Sequence, residues 1–228
     1  MMSRHRRVLP AFLLAAVMQS STAQFQGVVE SKNMTTDELG SQQQFTMTMW
    51  ITKDMVRIQN SAMGSTPVST MIYRNDRHVV WMVNDEDRSY FEIVQENQLQ
   101  KPEDQQSPVE DEKAVIRKTG RKKSILGYKC EQFFIKRADA ETEIWGTKGL
   151  SSLAASLSQA LGEQQGEPLT GLADELTRMG VFPLLAYTRL GKNIVESQEV
   201  TRIRSQAMQQ DLFEIPAGYK RLKPGEVK

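Results

Sequence analysis

Residues 44–60, "QFTMTMWITKDMVRIQN", carry the pattern that decides the fold. Phe45, Met47, Met49 and Ile51 alternate with Thr46, Thr48, Trp50 and Thr52, the two-residue period of a strand with one face turned to a core. "DMVRIQN" follows directly on Thr52-Lys53, which predicts a hairpin. Working outward, "STMIYRND", "HVVWMVND" and "RSYFEIV" repeat the signature, separated by Asn75-Asp76 and by the Asn84 to Asp87 turn. The run "VVWMV" is apolar on both sides, which predicts a place in the sheet centre with cover on each face.

Residues 95–113 are polar and acidic, contain two prolines, and read as a flexible surface loop. Beyond it, "AVIRKTG" and "SILGYKCEQFFIKR" predict a second hairpin connected around Gly120, and "ETEIWGTKG" a further strand. The period then changes. Leu150, Leu153, Ala154, Leu157 and Leu161 fall on one helical face, with Ser151 or Ser152 as N-cap. Leu169, Leu172, Ala173, Leu176 and Met179 repeat it, with Gly180 as C-cap. Strands resume with "PLLAYTRL", "NIVESQEVTRIRSQ" and the tail "LFEIPAGYKRL". The expectation is an α+β domain over residues 24–228: about ten antiparallel strands, with a helical hairpin over 150–180 laid on one face.

Arg4, Arg6 and Arg7, the apolar run Val8 to Met18, and Ser21-Thr22-Ala23 form a secretory signal peptide over residues 1–23. That run is shorter than the roughly 20 apolar residues a spanning helix needs, so no transmembrane span is expected in the mature chain. No cysteine stands directly after the cut, which argues against a lipid anchor; the expected location is the periplasm, with secretion as the alternative. Removing the leader takes three arginines and no acid, leaving 26 basic against 28 acidic residues. That balance argues against a nucleic-acid partner, which needs a clustered basic excess. "RKTGRKK" (Arg117 to Lys123) is the one basic concentration, read as a solvated connection, with phosphate or anionic lipid headgroups as the functional alternative.

The openings "FQGVV" and "MVRIQ", the stretch "KTGRKKSILGYKCEQF" with Gly127-Tyr128-x-Cys130, the strand "TEIWGTKGL" with Trp145, and "FEIPAGYKRL" with Pro216-x-Gly218-Tyr219 resemble an exported bacterial domain-of-unknown-function family, DUF4412. The resemblance implies a strongly curved antiparallel sheet wrapped around helices, similar to the periplasmic lipoprotein carriers of the Lol pathway. It brings no established activity, and fold does not imply function.

Chemistry-bearing motifs are sparse. Cys130 is the one cysteine and His78 the one histidine outside the leader; no Cys-x-x-Cys, His-x-x-x-His or Gly-x-Ser-x-Gly spacing occurs, and no glycine-rich phosphate loop. Cys130 therefore reads as a packed thiol, and Asp85-Glu86-Asp87 as a solvated hairpin tip without calcium-loop spacing. No enzyme, catalytic residue, metal or cofactor is expected. Seven methionines (Met34, Met47, Met49, Met55, Met63, Met71 and Met82) lie in the first third of the mature chain with Trp50 and Trp81, and flexible thioethers suit irregular apolar ligands as well as an ordinary core. The expectation is a carrier-like binding module whose concave sheet holds a lipid or lipoprotein acyl chain against Met47, Met49, Trp81 and Met82, the helices of 150–180 acting as lid. The alternatives are an envelope structural or protein-interaction domain with a filled core and, third, an unrecognised hydrolase.

Overall fold

The computed structural model describes residues 24–37, 39–62, 67–94, 115–161, 176 and 178–223. The leader, the acidic loop, Met63 and most of the second predicted helix lie outside the described residues. In chain order the strands are β1 (Gly27–Thr36), β2 (Gln42–Ile51), β3 (Met55–Ala62), β4 (Pro67–Arg74), β5 (Val79–Asn84), β6 (Ser89–Val94), β7 (Val115–Ile125), β8 (Tyr128–Arg137) and β9 (Ala140–Thr147). Helix α1 (Ser151–Leu161), β10 (Phe182–Leu190), β11 (Asn193–Ser205) and β12 (Lys220–Arg221) follow. They form one sheet of twelve described strands, in the order β12-β6-β5-β4-β3-β2-β1-β11-β10-β9-β8-β7. It is open, with β12 and β7 at its edges, and every pairing is antiparallel except β12 with β6.

The curvature follows from what α1 touches. A helix of 11 residues is about 16 Å long. It contacts β3 and β4 as well as β10, strands that stand about 24 Å apart in a flat sheet at ~4.8 Å per step. The sheet curls around the helix. Leu153 and Ala154 are buried in one core cluster with Val29, Ile51, Val56, Tyr73, Val80, Leu184 and Val200, and each fully buried aliphatic chain contributes roughly 1.5–3 kcal/mol. Ser156, buried on the same helix, donates to the Phe25 carbonyl at 3.4 Å, which satisfies its hydroxyl and ties α1 to the start of β1.

Local structure differs from the sequence reading in three places. The hairpin between β7 and β8 turns at Leu126-Gly127, not at Gly120. Both turn residues have positive φ (50° and 82°), as the tight turn that matches strand twist requires. Gly120 (φ 77°) instead lies in a bulge, where the register steps from Lys118 opposite Phe133 to Lys122 opposite Glu131. Secondly, α1 is entered through a 3-10 turn over Lys148–Leu150 capped by Thr147, whose hydroxyl accepts from the Gly149 amide at 3.1 Å; Ser151 is already helical. Thirdly, the tail is not one strand. A 3-10 turn over Gln210–Phe213 and a short return to β12 lay it across the sheet face opposite α1.

At Gly180 the φ is 64° and the Val181 amide donates to the Leu176 carbonyl at 2.8 Å, the Schellman arrangement expected of a helix C-cap. β5 lies third from the sheet edge rather than at its centre, and its cover is uneven: the C-terminal segment covers Trp81 and Val83 on one face, while on the other Val80 is buried and Met82 is exposed.

Candidate functional site

Register fixes which side chains share the concave face. Met49, Ile58, Met71, Met82 and Phe91 are successive cross-strand partners on β2 to β6 and form one row. The neighbouring row, Ile51, Val56, Tyr73, Val80 and Ile93, passes beneath α1. Ile51, Val56 and Val80 are sealed from solvent, whereas Met82 and Ile93 at the other end of the rows are 45% and 48% exposed. Met47, Ile58 and Met71 are half-buried against the core. The closed core thus continues outward into an exposed apolar floor.

A polar edge borders this floor. Asn60, opposite Met47, has a buried side-chain oxygen with no hydrogen-bond partner among the described residues, while its amide nitrogen donates to Ser69 Oγ at 3.4 Å. Burial pushes the Tyr73 phenol above its ordinary range, and its hydroxyl lies 3.8 Å from Met71 Sδ. Uncharged at neutral pH, Tyr73 keeps the floor free of charge.

Of the four expected ligand-binding residues, Met47, Met49 and Met82 share this face, and Trp81 does not. Trp81 is aligned with Trp50, Arg57, Ile72 and Glu92 on the opposite face, where it packs with Phe213 and donates from Nε1 to Glu92 at 3.0 Å. Arg74 and Arg77 approach its ring at 5.6 and 5.7 Å. The covering segment is pinned by Arg57 donating to the Leu212 carbonyl (3.0 Å), Arg74 to the Phe213 carbonyl (3.2 Å) and Tyr219 to Asp85 (2.8 Å). Trp81 is a structural anchor.

The remaining chemistry-bearing residues are dispersed. Cys130 is fully buried, its thiol directed at the Tyr128 carbonyl 3.5 Å away, and burial pushes its pKa up, away from the reactive thiolate. His78 is an exposed left-handed residue following the 3-10 turn at Asn75–Arg77. Asn84 Oδ1 accepts from the Glu86 and Asp87 amides, which makes the acidic stretch a hydrogen-bonded hairpin tip. Among the described residues no group of three or more metal-ligating side chains converges, and no helix is long and apolar enough to cross a membrane.

A family profile described as "Domain of unknown function (DUF4412)" matches residues 25–219. The chain belongs to the DUF4412 family. The DUF4412 domain thereby includes the apolar floor, α1 and the C-terminal segment as far as Tyr219. Among proteins of curated function none matches it in sequence. Solved structures similar to it include the following three. An uncharacterized conserved protein from Thermus thermophilus aligns with a TM-score of 0.48 at 8% identity, over 86% of this chain and 90% of that one. PNGF-II gives 0.40 at 15% identity, over 86% of this chain and 30% of that one. A LolA superfamily protein from Nitrosomonas europaea gives 0.37 at 8% identity, over 84% and 91% respectively.

Proposed function

We propose that this DUF4412 domain is a non-enzymatic, carrier-like module of the periplasm that holds an apolar ligand, such as an acyl chain, along the concave face. The observation that carries the reading is the row Met49, Ile58, Met71, Met82 and Phe91, running from buried core to exposed floor. Four interstrand steps give it a length of about 19 Å, the scale of an extended acyl chain. Three of its five members, Met49, Met71 and Met82, are flexible thioethers, the last two on adjacent strands, and such side chains accommodate ligands of irregular outline. The dispersed Cys130, His78 and Asp85 give no support to the hydrolase alternative, since a nucleophile, its base and an orienting group must lie within hydrogen-bond reach.

Native mass spectrometry of protein taken from the periplasm tests the reading, together with titration of the purified protein with a fluorescent fatty acid. Lipid adducts and saturable binding that Met82→Asp weakens are expected. Bare protein that takes up no fatty acid would sink the carrier reading and leave the exposed Met82 and Ile93 surface as a protein-docking face.

A further inference from the structure

β7 is a sheet edge, and its lysines, arginines and bulge are the ordinary means by which an exposed edge avoids pairing with another chain. Protection of the edge accounts for positive charge. It does not account for a shaped recess. Arg117, Lys118, Thr119, Arg121, Gln132 and Phe134 line an open groove of about 480 Å³. The groove forms because three residues of β7, Thr119 to Arg121, stand opposite the single residue Gln132 of β8.

Its walls are ordered. Gln132 is only 4% exposed, and both ends of its side chain are engaged: Oε1 accepts from Thr119 Oγ1 at 2.8 Å, and Nε2 donates to Glu143 Oε1 at 2.8 Å. Arg117 lies over the Phe134 ring at 5.0 Å, and Thr119 Oγ1 accepts from the Arg121 amide at 3.2 Å. The charges do not cancel. Glu131 is taken by Lys118 (3.3 Å) and Lys122 (3.6 Å), and Glu143 by Gln132, Trp145 and Arg189. Among the described residues neither Arg117 nor Arg121 has a carboxylate partner. Two guanidiniums without counter-ions beside an aromatic floor match an oxyanion, because each presents a planar fork of donors suited to phosphate.

We infer that the Arg117–Arg121 groove binds a phosphate group, carried either by an anionic lipid headgroup or by a small soluble phosphate. The site is separate from the apolar floor and does not depend on it.

Cosedimentation of the full chain with phosphatidylcholine vesicles, with and without phosphatidylglycerol, tests the lipid source, and calorimetric titration with glycerol phosphate tests the soluble one. Binding only to phosphatidylglycerol vesicles assigns the groove to a membrane surface; binding to glycerol phosphate assigns it to the phosphate group itself. In either case R117Q/R121Q should weaken binding about thirtyfold, at ~1 kcal/mol for each arginine. R202Q/R204Q removes the same charge from β11, where both arginines pair with Glu30 at 3.6 and 3.1 Å, and should leave binding within about twofold. R117K/R121K, which keeps the edge charged, should still lose affinity for glycerol phosphate if the fork geometry matters. Equal weakening by the two Gln pairs, or no binding of either probe by the unaltered protein, would overturn the inference and leave edge protection as the whole role of these residues.

Discussion

Trp81 and Met82 are adjacent in β5 and face opposite sides of the sheet, Trp81 7% exposed beneath the C-terminal segment and Met82 45% exposed on the concave floor. Their substitutions should therefore separate stability from binding. Trp81→Ala removes a buried indole and its Glu92 hydrogen bond, and should lower the unfolding free energy by about 3–5 kcal/mol in urea titrations while fatty-acid affinity of the folded fraction is kept. Met82→Asp should change stability by no more than about 0.5 kcal/mol, as expected for an exposed site. Its cost falls on the ligand, since a carboxylate against an apolar chain loses water without gaining a partner; affinity should drop at least about tenfold.

The C-terminal segment acts as the second layer of the domain. Phe213 is fully buried among Ile72, Trp81 and Val83, and its carbonyl accepts from the nearly buried Arg74. Phe213→Ala should destabilise the protein by about 3–5 kcal/mol. Hydrogen exchange should speed up first in β12 and β6, where the Lys220 and Leu222 amides donate to the Arg88 and Tyr90 carbonyls at 2.9 Å. Uniform exchange across the sheet in the variant would show that the segment and the sheet unfold together.

Cys130 should be silent to thiol reagents in the folded protein, being fully buried with its pKa pushed up by burial. Labelling by a chromogenic disulfide should appear only with denaturant, at the unfolding midpoint. Cys130→Ala should cost about 1 kcal/mol and leave ligand and phosphate binding unchanged. Loss of either in a folded variant would give this thiol a role beyond packing.

The two-residue period of residues 45–52 was enough to read β2 and the side of it that meets the core, because a strand buried on one face imposes that alternation. The same rule applied to "VVWMV" assigns Trp81 and Met82 to opposite faces, so an apolar pocket holding both was inconsistent with the sequence's own pattern. Gly120 and Gly127 were harder to tell apart. A bulge and a tight turn make the same demand for positive φ, and the turn is completed by Leu126 at 50°, a conformation that leucine rarely adopts. The covering role of the tail was not legible, because Met208, Leu212, Ile215 and Tyr219 carry the i, i+4, i+7, i+11 spacing of a helix face, yet Pro216 and Gly218 interrupt it and the segment folds as a 3-10 turn and a two-residue strand. Nor did the run "RKTGRKK" disclose a groove, which exists only through the step in register opposite Gln132.

The pair Arg74 and Asp76 makes acid stability testable. The guanidinium is 5% exposed and holds Asp76 through two hydrogen bonds, Nε to Oδ1 at 2.8 Å and Nη2 to Oδ2 at 2.7 Å. Those bonds favour the ionised carboxylate and hold the Asp76 pKa below its ordinary value. A carboxyl whose pKa is lower folded than unfolded binds its proton more weakly in the folded state. Its contribution is complete at neutral pH, begins to fade as the pH approaches the unfolded pKa near 4, and is gone once the pH passes below the folded value. The urea midpoint should accordingly fall from about pH 5 downward, and Asp76→Asn should be less stable at neutral pH with a shallower fall in acid. Because Asp76 is 38% exposed, water and salt screen the pair, and raised ionic strength should narrow the difference between the two proteins at neutral pH. An Asp76→Asn protein whose acid profile runs parallel to the unaltered one would show that other carboxylates, with Glu214 on the same arginine the first to examine, carry the pH dependence.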